Sequence, residues 1–195
     1  VNELQVSSEK IIFNCLENSL PFPLTSSLDT ALRLVPFQKN INQEILQIIG
    51  LNKGSYDLFI QDKLINTFSA KQLNEGVNLS SEFNTPQYKQ AKDIMNLCQE
   101  YRKTSYQLRA VPFIAFKYLR DYNGPDTLNN KKIFLDDKLK KIEGQPFYNY
   151  IKKSIQEYNE KLPKLDSLKI RLKQIERIIY KKNKPRTMNW SIVKR

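Results

Sequence analysis

The chain contains no histidine, so neither a Ser-His-Asp nor a Cys-His arrangement can be assembled from its own residues. Cys15 and Cys98 are its two cysteines. They fit no disulfide framework or zinc-ligand spacing and read as two small buried hydrophobes. There is no G-x-S-x-G, Walker A loop, dinucleotide fingerprint or EF-hand loop, and five glycines do not furnish a glycine-rich phosphate loop. Paired carboxylates remain as a chemistry open to such a chain. The adjacent pair Asp136-Asp137 reads instead as charge at a helix N-terminus. On this inventory the chain alone is expected not to be an enzyme. No catalytic, cofactor-binding or metal-binding residue is assigned to it.

Binding chemistry is better represented. Lys152, Lys153, Lys161, Lys169, Arg171, Lys173, Arg177, Lys181 and Lys182 crowd the last two predicted helices and form the candidate contact set for an anionic surface or partner. A nucleic-acid surface needs such charges on one face with exposed aromatics between them. Glu157, Glu160 and Glu176 interrupt the basic field, and Phe147, Tyr150 and Tyr158 fall on the stripe predicted to be buried. No RRM, KH or helix-turn-helix signature is present, so nucleic acid is a disfavoured partner.

The elements that must position these residues divide the chain in two. Residues 1–84 read mainly as strands. Leu4 and Val6 alternate with polar residues, and Ile11, Phe13 and Cys15 share one face. The apolar run Ile45–Leu51, the turn Asn52-Lys53-Gly54, Tyr56–Ile60, Gln61-Asp62-Lys63 and Leu64–Phe68 together have the form of a β-meander. Ser69-Ala70-Lys71-Gln72 is a capping box opening a short helix that ends at Gly76. Residues 85–195 read as helices. Thr85-Pro86 is an N-terminal signal, Pro112 is expected to break or kink the helix, and Asp121–Asp126 is a loop. Two amphipathic stripes follow: Phe147, Tyr150/Ile151, Ile155, Tyr158 and Leu162, then Leu165, Leu168, Leu172, Ile175 and Ile179. With Pro163-Lys164 between them, they predict an antiparallel αα-hairpin with both stripes inward. Met188, Trp190 and Ile192 predict a terminal strand that returns to the sheet.

The expected class is therefore α+β: an antiparallel β-rich unit at 1–84, meander- or sandwich-like, packed as one compact whole with a helical part at 85–195. At 195 residues, 40% of them hydrophobic and 21 aromatic, the chain supports a packed core. Its charge is uneven. Residues 1–84 hold 6 Lys/Arg and 9 Asp/Glu, a net −3, against 26 and 11, a net +15, in the remainder. No apolar run approaches the roughly 20 residues that span a bilayer, and no signal peptide is visible at Val1-Asn2-Glu3-Leu4.

Read as a block, residues 20–91 carry an ordered series of elements: Leu20-Pro21-Phe22-Pro23, Leu34-Val35-Pro36-Phe37, Ile41-Asn42, Ile48-Ile49-Gly50-Leu51, Gly54-Ser55-Tyr56-Asp57-Leu58, Phe68-Ser69-Ala70, Gly76-Val77-Asn78-Leu79, and Thr85-Pro86 with Gln90-Ala91. This series resembles the region that follows the catalytic domain in bacterial SGNH/GDSL-family hydrolases. Gln61-Asp62 departs from it, standing where an aspartate-glycine turn is usual. The resemblance implies a non-catalytic C-terminal accessory domain of an ester hydrolase, packed on an upstream SGNH/GDSL catalytic domain or shaping access to it. The parent would act as an esterase or acylhydrolase, with acylated carbohydrate as a substrate, and would be exported to the periplasm or beyond. The alternatives are a carbohydrate- or cell-wall-binding module and, behind it, an anionic-surface or nucleic-acid binder.

Overall fold

The computed structural model describes residues 1–24, 32 and 34–195. The chain is α+β and divides into two compact units, Val1–Asn96 with Ile179–Arg195, and Leu97–Ile178. The division falls within two helices rather than at residue 85. Tyr88 and Ala91, in the first turns of helix α3 (Pro86–Lys117), are buried in the first unit's part of the chain.

The first unit is built on a five-stranded antiparallel sheet of β1 (Asn2–Val6), β2 (Lys10–Cys15), β4 (Ser55–Ile60), β5 (Lys63–Ser69) and β7 (Met188–Lys194), in the spatial order β1-β2-β7-β4-β5. The expected meander is thus opened in its middle. The last strand of the chain lies between β2 and β4, with Phe13 opposite Trp190 and Leu58 opposite Ile192. The period-two pattern of the sequence explains which face is covered: Tyr56, Leu58 and Ile60 of β4 and Met188, Trp190 and Ile192 of β7 are all buried. At the β4–β5 turn, Gln61 and Asp62 both take positive φ, 52° and 59°, the geometry of a two-residue hairpin connection. An irregularity after Leu58 leaves Ile65 as an extra residue of β5, and it is buried.

Strand β1 departs from expectation. Leu4 and Val6 were expected to be half-buried, yet every residue of β1 is exposed, because none of the described residues covers this edge strand's apolar side chains. The Ile45–Leu51 run forms strand only at β3 (Ile45–Leu46), paired with β6 (Val77–Asn78) in a separate two-stranded ribbon. A short helix α1 (Phe37–Asn40) precedes it. The capping box forms as read: Ser69 Oγ accepts from the Gln72 N–H and the Gln72 side chain accepts from the Ser69 N–H, opening α2 (Ala70–Glu75). Gly76 closes that helix at φ 92°, where an added Cβ would lie 3.0 Å from Ile45 Cγ2. Thr85 likewise accepts from the Tyr88 N–H at the start of α3. The end of α6 (Leu165–Lys182) is tied to that start by Lys182–Asp93 at 3.0 Å and by the Gln90 amide donating to the Lys182 carbonyl at 2.6 Å.

The second unit is helical. Val111 and Ile114 of α3, Leu135 of α4 (Leu128–Lys140), and Ile155 and Tyr158 of α5 (Tyr148–Lys161) form its core. Helix α3 runs through Pro112 without ending, since the burial of Val111 and Ile114 on either side offsets the lost backbone bond. The αα-hairpin is not formed. Lys161, Leu162 and Leu165 all keep right-handed helical angles, so α5 passes through a 3₁₀ turn at Leu162–Lys164 into α6 with no reversing loop. Pro163 sits at the start of that turn, where its missing N–H costs least. Consequently Phe147 and Tyr150, expected on the buried stripe, are exposed, while Ile155 and Tyr158 are buried against α3 and α4. Asp136 and Asp137 lie in the last turns of α4, not at its start, and Asp137 pairs with Lys140 at 3.5 Å. Cys98 is exposed and Cys15 half-buried, so neither thiol is the buried hydrophobe expected.

Candidate functional site

Strand β2 alternates Ile11, Phe13 and Cys15 on its inward face, and two residues further the same parity reaches Glu17. Glu44 arrives beside it just ahead of β3. Between them sits Gln87, from the first turn of α3, almost wholly buried at 1% exposure. Its amide nitrogen donates to Glu17 Oε1 at 2.8 Å and to Glu44 Oε1 at 2.6 Å. Two carboxyl groups are thus held on one donor in a partly desolvated place. Burial, then the hydrogen bond and charge of Glu44, push the Glu17 carboxyl up to about 9, against the opposing pull of the Gln87 amide. Glu17 therefore carries a proton at neutral pH. Burial, and next the Glu17 charge, also push the Cys15 thiol up.

Two apolar cavities meet at Cys15, Glu17 and Glu44. One, about 880 Å³, continues over Leu20, Phe22, Val35, Phe37 and Ile41. The other, about 520 Å³, continues over Leu4, Phe13, Ile45, Ile49 and Trp190. Among the described residues, Glu17 and Glu44 are the charged side chains on these walls. Three buried polar atoms here lack a hydrogen-bond partner among the described residues: Glu44 Oε2, Gln87 Oε1 and the indole N–H of Trp190. Several rim residues are large, apolar and exposed, among them Leu4 at 60%, Val6 at 68%, Ile41 at 69% and Ile49 at 75%. A chain with this composition normally buries such side chains in concert, and a patch of them marks an interaction surface.

Several of the nine basic residues have partners close by. Lys161 pairs with Glu160 and Lys169 with Asp166, both at 3.9 Å, while Arg171 binds Glu100 at 2.5 Å and Lys182 binds Asp93. Lys152 lies over the Tyr148 ring at 5.8 Å. Lys153 lines a cleft of about 330 Å³ in the helical unit with Tyr106, Arg109, Phe113 and Tyr150. Lys173, Arg177 and Lys181 are exposed. Among the described residues no cluster of three or more Cys, Asp or Glu is placed to hold a metal ion, and no helix is long and apolar enough to cross a membrane.

The chain matches no protein-family profile and no curated protein. It is similar over 100% of its length to a solved structure, BT4096, a gut microbial diltiazem-metabolizing enzyme, with 25% identity and a TM-score of 0.80. The chain spans 45% of that enzyme's length. This corrects the expectation that the chain is not an enzyme: its whole length aligns within one, so its fold is that of part of an enzyme. Triads and adjacent carboxylates are visible in a sequence, whereas Glu17 and Glu44 are brought onto one glutamine only by the fold.

Proposed function

We propose that this chain is part of an ester hydrolase of the SGNH/GDSL type, the portion that packs on the catalytic unit and walls the approach to its site. The observation that carries the reading is the exposed apolar rim of the sheet unit, Leu4, Val6, Ile41 and Ile49, around two cavities that hold a carboxyl pair. Such a surface is costly in water, at roughly 25 cal/mol per Å² of apolar area, and it fits a protein surface supplied by the rest of a longer polypeptide. The similarity to less than half of a larger enzyme supports the same reading. Acylated carbohydrate is a substrate class consistent with the reading, and the parent is proposed to be exported.

The test is to recover the coding sequence flanking this chain and to assay the whole protein on p-nitrophenyl acetate and acetylated sugars. Hydrolysis is expected, with a loss of about tenfold or more in kcat/KM when Leu4 and Ile49 are both changed to Lys, equivalent to about 1.4 kcal/mol of transition-state stabilisation. A flanking sequence without a GDS-type serine unit would overturn the proposal. The aromatic cleft of the helical unit favours a second reading, carbohydrate binding, because Tyr106 and Tyr150 are both more than half exposed there. Titration with neutral oligosaccharides checks it, and binding unaffected by Tyr106→Ala and Tyr150→Ala would remove it.

A further inference from the structure

Some features of the sheet unit are not used by the proposed packing. The Glu17–Glu44 pair is recessed rather than exposed, and Gln87 holds it in place from a fully buried position. Trp190, 4% exposed and with its indole N–H unpartnered among the described residues, lies on the wall of the same cavity. Buried polar groups left without partners are uncommon in folded proteins and call for an explanation. Glu44 Oε2 and Gln87 Oε1 keep unused acceptor capacity among the described residues. The surroundings are apolar, which strengthens any charge–charge interaction made there.

From this geometry we infer that the cavities meeting at Glu17 and Glu44 bind an apolar organic ammonium ion, whose hydrocarbon or aromatic body fills the cavity and whose N–H groups meet the carboxyl pair. An acceptor oxygen on the same ligand is the partner that the Trp190 indole N–H lacks. Ammonium is the chemistry the site selects because it supplies donors and positive charge together, the two things a carboxyl pair wants. An alcohol of the same shape supplies one donor and no charge. A second carboxylate would repel the pair. That the ligand is the ester substrate of the parent enzyme rests on the proposed function; that this chain binds it does not.

Ammonium binding must also draw on the pair's proton. Glu17 is neutral near pH 7, so an arriving cation favours release of that proton. Affinity then rises with pH as Glu17 ionises, up to the range near 10.4 in which an alkylammonium itself deprotonates. Among the described residues, the other ionisable groups at these cavities are the Cys15 thiol on β2, which lines both, and the amino group of Val1, which acts on that thiol.

The experiment is a calorimetric titration of the 195-residue chain with 3-phenylpropylamine and, in parallel, with 3-phenylpropanol. The amine is expected to bind about tenfold or more tightly than the alcohol, with affinity increasing from pH 6 to pH 9. Glu44→Gln is expected to erase the preference. Glu17→Gln is expected to keep the preference at pH 6 and to abolish its rise with pH. Should Glu44→Gln fail to fold, as judged by circular dichroism, Glu17→Gln alone decides the matter. Equal affinity for amine and alcohol, no binding of either, or an unchanged pH profile in Glu17→Gln would overturn the inference. Because binding is read on this chain without any turnover, loss of the hydrolase reading and loss of this one are separate outcomes.

Discussion

The sheet unit and the helical unit differ in how they treat charged side chains, while both leave large apolar side chains exposed. In the helical unit Val111, Ile114, Leu135, Ile155 and Tyr158 are buried together, and much of the surface is basic. Several of those charges are answered at short range, as in Arg171–Glu100 and Lys138–Asp121. In the sheet unit Leu58, Ile60, Trp190 and Ile192 make a dense core, but a second set of apolar residues stays in water and two half-buried carboxyl groups share one buried glutamine. The first arrangement keeps charge on the outer faces of amphipathic helices, although Phe116, Phe147 and Ile170 stay exposed there too. The second spends stability on a surface and a site, the pattern expected where function rather than folding fixes the residues.

The comparison is broken most directly by large-to-small changes in the two cores. Ile60→Ala and Leu135→Ala, each at a site with 0% exposure, are expected to cost about 2–5 kcal/mol. If the two units are cooperative bodies of their own, denaturant unfolding followed by Trp190 fluorescence loses stability with Ile60→Ala and much less with Leu135→Ala. Equal shifts for both would merge the units into one cooperative structure.

Next in size is the pH response of Glu17. Glu17 is raised in the folded chain to about 9, from an ordinary value near 4.5. Between those values the folded state binds more protons than the unfolded one, so this group's contribution is intact below about pH 4.5 and is lost as pH rises through 9. Glu17→Gln is expected to flatten that decline, measured as the midpoint of urea unfolding at pH 5, 7 and 9. A wild-type midpoint that climbs over this interval by an amount Glu17→Gln removes would show the opposite shift.

Smaller effects sharpen the contrast at the surface. Ser69→Ala removes the hydroxyl half of a capping box in the sheet unit and is expected to cost about 1 kcal/mol in thermal or chemical unfolding. Arg171→Met breaks an exposed ion pair in the helical unit and is expected to change stability by less than about 1 kcal/mol, and by less still in high salt. A cost for Arg171→Met larger than that for Ser69→Ala would mean that the charges of the helical unit are structural rather than merely solvating.

Local rules are visible in the chain wherever neighbours in sequence are neighbours in space. The Ser69 capping box, the Thr85-Pro86 helix start, Gly76 and the alternation of Met188, Trp190 and Ile192 were all legible because each depends on a few consecutive dihedrals. The hairpin proposed across Pro163 was not, since a proline in the first turn of a helix and one in a reversing loop have the same local signature. Strand β1 misled for a related reason: alternation marks a face but does not say whether anything covers it.

What the sequence determined by itself is the α+β class, the return of the terminal strand to the sheet and the absence of histidine chemistry within this chain. The tertiary structure decided where that strand inserts, which aromatic residues stay in water, and that Glu17 and Glu44 share Gln87. The reason is one of range. Dihedral preferences, caps and periodicity act over a few residues, whereas a carboxyl pair held by a glutamine from a third element depends on contacts between residues 43 and 70 positions apart.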